Sequence, residues 1–391
     1  MEKILISDDR YGPKTSHLED DDLIDRLNNR ITVLGLIMCI FIITGGVLVG
    51  KPINCWTPGM FTEFKGQHDG YANSICWLKG SYYLPTEEII IPDRSKPRTY
   101  FVSYYQWTAF ILLFMAMFFL LPRYIWHTFT RQGGLNIQRL IKTIKEQPVA
   151  DKGVESVQKS IKSYLDAQNM GGGEICCGCR CSNFYVGYTL MYFLVKILYV
   201  VNTLTQFFLL NAFLSFNFTS FGPEGVHKLL SDGDWFESPR FPRVTMCDFM
   251  VRRLGSNQHW YAIQCNLPIN MFNEKIFLGI WLWLIILTIL NFLSIFPWII
   301  LLTRSQRLAT IRKYLRMNKI SSEKQNNFSS STTMPRYRSN KFDEFIDYLR
   351  LDGFLIFYII ARNTDDIVAG KIIDYLYKAY EPPTPDFMSN V

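Results

Sequence analysis

A run of thiols between residues 176 and 181 is the part of this sequence that looks most like a metal site. Four thiolates are sufficient to hold zinc, but structural zinc sites usually separate their ligands by two residues and take them from two parts of the chain. Cysteines beside a membrane span can instead be palmitoylated. Three interpretations therefore stay open: unmodified thiols, acylated thiols, or a metal or redox site. The residues are Cys176, Cys177, Cys179 and Cys181.

A second set of cysteines is suited to disulfide chemistry. Cys55 and Cys76 lie between the first and second long apolar segments, and Cys247 and Cys265 lie between the third and fourth. Each intervening loop has about 50 to 60 residues, which is small for a separate hydrophobic core, and disulfides commonly compensate for that deficit. We expect both loops to face an oxidising compartment, where disulfides persist. Four cysteines allow three pairings, and the residues alone leave all three open.

Four apolar segments must position these cysteines. They cover 31–49, 108–121, 188–214 and 276–302, and a helix needs about 20 residues to span a bilayer. The second segment is short, but amphipathic aromatic residues flank it at the depth of the lipid headgroups. The predicted fold is an all-α membrane protein with four transmembrane helices, disulfide-stapled extracellular loops that contain short strands, and a helical cytoplasmic dome. The flanking aromatic residues are Tyr104, Tyr105, Trp107, Tyr124 and Trp126.

The charge distribution predicts the orientation of the chain. The first 30 residues are polar and acidic, unlike a secretory signal, so the first span should act as an uncleaved anchor. Lys and Arg are concentrated between the second and third spans and directly after the fourth, which places both termini and the middle loop in the cytoplasm. The net charge of +7 then belongs largely to loops that face membrane lipids, and it does not argue for nucleic acid.

The predicted organisation alternates spans and loops. Short strands are expected at 88–91, 244–250 and 261–263, and amphipathic helices at 135–144 and 154–165. Two further helices are expected on either side of Asp352, at 342–351 and 353–361. Asn217, just outside the third span, begins a sequon and is a possible glycosylation site. The segments are a cytoplasmic N-terminal segment 1–30, a first transmembrane helix 31–50, a first extracellular loop 51–103, a second transmembrane helix 104–126, a cytoplasmic loop 127–183, a third transmembrane helix 184–216, a second extracellular loop 217–275, a fourth transmembrane helix 276–302, and a cytoplasmic C-terminal helical region 303–391.

Little in the sequence supports catalysis. It has no glycine-rich phosphate loop and no Gly-x-Ser-x-Gly elbow. Its five histidines are scattered along the chain. We therefore expect no enzyme activity, no cofactor and no catalytic metal.

The third span carries a polar face. Lys196 is the formal charge inside the predicted spans, and an intramembrane charge is costly and usually meets a partner, a bundle interior or water. One interpretation is that Lys196 lies near the inner boundary and extends to it; the other is a polar seam against another helix or a wet vestibule. Helical spacing places these residues of the third span on one face: Tyr188, Tyr192, Lys196, Tyr199, Thr203 and Gln206.

The acidic run from Asp20 to Asp22 is expected to favour the start of the first helix electrostatically, with cation binding as an alternative.

Several motifs, in order along nearly the whole chain, resemble those of innexins, the invertebrate gap junction proteins. The run Tyr104, Tyr105, Gln106 and Trp107 at the start of the second span looks like the family's signature tetrapeptide. Innexins commonly carry a proline two residues after that tryptophan, whereas this chain has Ala109, so a proline-dependent hinge there is not implied. Other stretches similar to innexin motifs are 21–28, 51–58, 76–77 with 82–85, 122–126, and 348–353 with 361–363.

The resemblance implies both an assembly and a disulfide pattern. It favours the nested pairing, Cys55 with Cys265 and Cys76 with Cys247. It implies a ring of identical or related innexin subunits, an octamer, that docks onto a ring in the adjacent cell at plasma-membrane gap junctions. In such rings the first span and the segment before Asp20 face the pore. The candidate pore-lining residues at the outer end of the first span are Lys51, Pro52, Ile53 and Asn54.

The implied function is a gap junction channel that passes ions and small molecules between adjacent cells. A nonjunctional large-pore hemichannel, as in the related pannexins, is the first alternative. A four-span adhesion or scaffold protein is the second, although it does not account for the signature tetrapeptide at its position. A glycan at Asn217 would bear on this choice, because a glycan on the outer face can hinder docking.

Overall fold

The structure is a computed structural model, and it describes residues 22–57, 67–85, 100–146, 151–170, 187–214, 218–231, 240–252, 255, 257–325 and 339–380. Within these ranges the chain is mostly helical, with one small antiparallel sheet. Two compact units form. The helical unit draws on Met1–Asp25, Arg123–Lys196 and Leu293–Val391, and the sheet unit draws on Arg26–Pro122 and Ile197–Phe292.

Among the described residues, four helices are long and apolar enough to cross a membrane. The first, Leu23–Val49, consists of α1 (Leu23–Arg26), a π-helical turn (Leu27–Thr32) and α2 (Val33–Val49). The first and fourth helices begin before the apolar segments read from sequence, because polar side chains such as Asn28 and Asn270 are buried inside the subunit. At about 1.5 Å per residue each helix exceeds the ~30 Å hydrocarbon core. The other three are α4 (Thr108–Gln132), α7 (Tyr188–Phe213) and α9 (Ile269–Leu302).

The sheet unit contains a five-stranded sheet in the order β1-β5-β4-β2-β3, with each neighbouring pair antiparallel. The long hairpin of β4 and β5 contains the strands predicted at 244–250 and 261–263, whereas 88–91 lies outside the described residues. Two helices belong to the same unit: α3 (Gln67–Lys79) and α8 (Phe218–Leu230). The strands are β1 (Asn54–Cys55), β2 (Ser81–Tyr82), β3 (Phe101–Val102), β4 (Val244–Arg252) and β5 (Gln258–Asn266).

The helical unit packs its short helices around buried aromatic and aliphatic side chains such as Phe345, Phe357 and Ile360. Two helices predicted on either side of Asp352 form one element, α11, that bends at Arg350, where φ is +52°. Beyond the bend, the Asp352 carboxylate accepts a hydrogen bond from the backbone N–H of Thr189 at the start of α7, 3.0 Å away. The helices of this unit are α5 (Ile137–Glu146), α6 (Asp151–Met170), α10 (Arg304–Gln325), α11 (Ser339–Asn363) and α12 (Asp366–Ala379).

Candidate functional site

Two disulfides join the segments that lie between the long helices. Cys55 bonds to Cys265 with an S–S distance of 2.06 Å, and Cys76 bonds to Cys247 at 1.97 Å. This is the nested pairing, and all four side chains are buried. The sulfurs of Cys55, Cys76 and Cys265 lie within 4.8 Å of one another. Because metal binding needs a thiolate and these sulfurs are bonded in pairs, the cluster is two adjacent crosslinks.

Strand pairing explains why the two segments meet. Cys55 in β1 lies opposite Cys265 in β5, and the backbone N–H of Trp56 donates to the Gln264 carbonyl at 2.8 Å. The two bonds connect residues that are 210 and 171 positions apart in sequence. A crosslink over so long a loop removes much of the freedom of the unfolded chain. Both inter-helix segments are therefore parts of one crosslinked sheet.

The signature tetrapeptide contacts the chain next to the second disulfide. Tyr104, Tyr105 and Gln106 form a single 3-10 turn just before α4. The Tyr105 hydroxyl donates to the carbonyl of Cys76 at 3.4 Å, and its ring lies 4.7 Å from that of Trp77. The Gln106 amide donates to the Trp77 carbonyl. The turn thus holds the end of α3, which carries one half of the Cys76 disulfide.

Burial has an electrostatic consequence in this turn. Desolvation raises the pKa of Tyr105 to about 12, and it raises the pKa of Tyr104 well above its ordinary value of 10.0. Both phenols are therefore neutral donors at physiological pH. Trp107 differs, because its side chain is 59 % exposed. That exposure suits a residue at headgroup depth.

The polar face predicted on the third span points into the subunit. Its six side chains are buried, whereas apolar side chains on the same helix, such as Ile197, Val201 and Phe208, are exposed. This inverted arrangement suits a helix whose outer surface meets lipid or another apolar helix. Lys196 is only 2 % exposed, so its side chain lies within the subunit, as the polar-seam interpretation expects.

Lys196 meets two carboxylates from the start of the first helix. Its ammonium donates to both carboxylate oxygens of Asp25, at 2.8 and 2.9 Å, and lies 3.5 Å from Asp22. Asp22 also pairs with Arg362 of α11 at 3.3 Å and accepts the indole N–H of Trp298 at 3.4 Å. Burial by itself would raise the pKa of Asp22, but the two neighbouring cations outweigh it and lower the pKa.

The chain is similar to a known family along most of its length. A family model described as Innexin matches residues 21–380, which is most of the chain. The chain belongs to the innexin family. It is 33 % identical over 383 residues to Innexin-19 of Caenorhabditis briggsae, with 92 % of this chain and 86 % of that protein covered. It is 32 % identical over 379 residues to Innexin unc-9 of Caenorhabditis elegans, with 92 % of each covered.

Membership explains the architecture. Innexins are channel proteins that form gap junctions, and the four apolar helices make this innexin a multi-pass membrane protein of that class. The resemblance read from the tetrapeptide, the loop cysteines and the C-terminal motif is therefore confirmed at the level of the family.

The candidate pore-lining residues of this innexin do not share one environment. Lys51 and Asn54 are exposed and Pro52 is half-buried, but Ile53 is only 4 % exposed and belongs to the apolar core of the sheet unit. The Ile53 side chain packs inside the subunit. The sequon at Asn217, the thiol run at 176–181 and the residues before Asp20 lie outside the described residues.

Sequence reasoning missed the partners of Lys196. Asp22 was assigned to the electrostatics of the first helix, and its carboxylate does accept the Leu23 N–H at 2.9 Å. Its ion pairs with Lys196 and Arg362 join positions 22, 196 and 362, which no local spacing relates. The available signal was charge balance, because a buried lysine in one span calls for a carboxylate at the same depth.

Proposed function

We propose that this innexin is a subunit of an oligomeric gap junction channel that passes ions and small molecules between adjacent cells. The observation that carries the proposal is the single sheet into which both inter-helix segments are crosslinked by two disulfides. A crosslinked surface keeps its shape when it is presented to another molecule, so less ordering is needed on docking. The sheet unit would be extracellular, with both termini in the cytoplasm.

The exposed surface of the sheet unit supports docking. Trp56, next to the first disulfide, is 74 % exposed, and Leu78 is 76 % exposed. The Lys79 ammonium lies 5.5 Å from the centre of the Trp260 ring and donates to the backbone carbonyl of Asp248 at 2.6 Å. Exposed aromatic and apolar side chains on a rigid frame are typical of contact surfaces.

A ring of subunits is part of the proposal. The polar face of the third helix is buried inside the subunit, and the outer faces of the described spans are rich in apolar side chains. One chain therefore offers little polar surface for a hydrophilic path, and several copies must surround it. The ring would be an octamer, with Lys51, Asn54 and the segment before Asp20 at the pore.

Removing one crosslink tests the docking role. Cys76→Ser should abolish junctional conductance between paired cells, because it frees α3 from β4 and leaves a Cys247 thiol in the sheet. Cys39→Ser is the matched control, since Cys39 is the free cysteine among the described residues and should conduct as wild type does. Wild-type conductance from surface-expressed Cys76→Ser would contradict the proposal.

A nonjunctional hemichannel is the second candidate. The sequon at Asn217 favours it, because a glycan on the outer face would hinder docking. Glycosidase treatment with a mobility assay reports whether Asn217 is occupied. Dye transfer together with recordings from single and paired cells separates the candidates: current only in single cells indicates a hemichannel, and no current in either arrangement leaves an adhesion or scaffold role.

A further inference from the structure

Four charged side chains form a balanced cluster in the helical unit. Asp22 and Asp25 come from the start of the first helix, Lys196 from α7, and Arg362 from α11. Two positive and two negative groups leave no net charge. Because a buried ion persists only when it is paired and hydrogen-bonded, each partner restricts where the others can lie.

Aromatic rings lie beside the Lys196 ammonium of this cluster. The Lys196 ammonium lies 5.3 Å from the ring of Tyr192 and 6.0 Å from that of Trp298. Tyr192 and Trp298 are 4.6 Å apart, and Trp298 contacts Tyr358 of α11 at 5.5 Å. The start of the first helix is therefore held against α7, α9 and α11 by charges within an apolar surround, where ion pairs are stronger than in water.

The two carboxylates have different roles. Asp25 uses both oxygens on Lys196, at 2.8 and 2.9 Å, and is the anchor of the first helix on α7. Asp22 divides its oxygens between cations on two elements, with Arg362 at 3.3 Å and Lys196 at 3.5 Å. It also directly precedes the first helix. Asp22 thus links α11 to the start of that helix.

Arg362 has room to leave this position. Its side chain is 55 % exposed, whereas that of Lys196 is 2 % exposed. It borders a cavity of about 450 Å³ whose lining includes Asp365 and Asp366. The Asp22–Arg362 contact is therefore the part of the cluster that can open without burying an unpaired charge.

We propose that Asp22 is a positioning residue of the pore: its contact with Arg362 couples the C-terminal helix α11 to the first membrane helix and sets the balance between open and closed channels. The proposal rests on the proposed channel function. The first helix would respond to α11 while Lys196 and Asp25 keep it anchored.

A double-mutant cycle on gating tests this coupling. Asp22→Asn, Arg362→Gln and the double variant are expressed as full-length channels, and the open–closed equilibrium is measured from single-channel recordings. Each single variant should shift the equilibrium in the same direction, and the double variant should shift it no further than Asp22→Asn alone. The coupling then equals the shift caused by Arg362→Gln, which we expect to be about 5-fold or more. Asp22→Glu should restore part of the wild-type equilibrium, which a role in folding alone does not predict.

The control cycle uses a second ion pair of α11. Arg304 and Asp347 lie 3.4 Å apart, and both side chains are well exposed. Arg304→Gln and Asp347→Asn should have small and independent effects, because exposed pairs contribute little. Additive effects of Asp22→Asn and Arg362→Gln in a conducting channel would contradict the proposed coupling but not the channel function. Absence of current from surface-expressed wild-type protein would contradict the channel function and the coupling with it.

Discussion

Asn28 and Asn291 exchange two side-chain hydrogen bonds inside the sheet unit. The Asn28 amide donates to the Asn291 carbonyl oxygen at 2.6 Å, and the Asn291 amide donates back at 3.0 Å. Asn28 belongs to the π-helical turn and Asn291 to α9. π-Helical turns are rare and frequently lie at functional sites. Next to this pair, the indole N–H of Trp283 donates to Thr32 at 2.8 Å, so the turn is fastened to α9 at both ends.

Breaking this pair should destabilise the protein. Asn291→Ala removes both hydrogen bonds between the two buried amides, each of which contributes about 0.5–1.5 kcal/mol, and we expect a lower detergent melting temperature. Asn28→Leu with Asn291→Leu should recover part of the loss, because both amides are removed together. Ser74→Ala is the control, since its exposed hydroxyl bonds only within its own helix. Equal melting temperatures for Asn291→Ala and Ser74→Ala would refute the prediction.

The Lys196–Asp25 pair should show the asymmetry of buried ion pairs. Lys196→Met leaves the Asp25 carboxyl group buried without its cation, and such a break typically costs about 3–5 kcal/mol. Lys196→Met with Asp25→Leu should recover assembled protein, since apolar replacement of a whole buried pair is often neutral. Surface biotinylation and size-exclusion chromatography measure both outcomes. Lys159→Met, in an exposed pair with Glu155, should change neither, and a double variant that is no better than Lys196→Met would contradict this account.

Asp22 should contribute to stability at neutral pH and lose that contribution only in acid. Its pKa in the folded protein is lowered from 3.8, because Lys196 and Arg362 together outweigh the effect of burial. A carboxylate with a lowered pKa contributes fully above its unfolded pKa, and the contribution disappears as the pH falls through the folded value. The melting-temperature difference between wild type and Asp22→Asn should therefore be constant from about pH 8 to pH 5. A difference that already shrinks in that range would exclude the ionised pairing.

Arg350 should tolerate glycine better than an ordinary helical position does. Its φ of +52° and ψ of −165° place it in a region that L residues rarely adopt, at a cost of about 1–3 kcal/mol. Arg350→Gly should raise the melting temperature, because the side chain is exposed and glycine adopts this conformation freely. Arg316→Gly, in the regular part of α10, should lower the melting temperature, because glycine in a helix interior costs about 1 kcal/mol of stability. A destabilised Arg350→Gly would show that the arginine side chain itself is needed.

The bend at Arg350 was not predictable from the sequence pattern. Helical periodicity predicted helices on both sides of Asp352, and both are present. It did not predict their junction, where φ is positive at Arg350 and where Asp352, two residues later, contacts Thr189 from a distant part of the chain. A Cβ at position 187 would overlap the Asp352 carboxylate, so Gly187 is needed for this approach.

The sequence likewise predicted only some features of the candidate site. The tetrapeptide and the loop cysteines were recognisable from residue types and order, and the polar face of the third span followed from its spacing. The burial of Ile53 was not, because it depends on the pairing of β1 with a strand more than 200 positions away. A residue that follows a span looks accessible in sequence whether or not another strand covers it.

The sequence by itself determined the four spans, the positions of the crosslinking cysteines and the family, since these depend on local hydrophobicity and on motifs read in order. Only the tertiary structure decided that Lys196 is neutralised by Asp22 and Asp25, and that Asp22 is shared with Arg362. The physical reason is that a buried charge is tolerated only beside its counterion, and the counterion is chosen by packing among helices that are far apart in sequence.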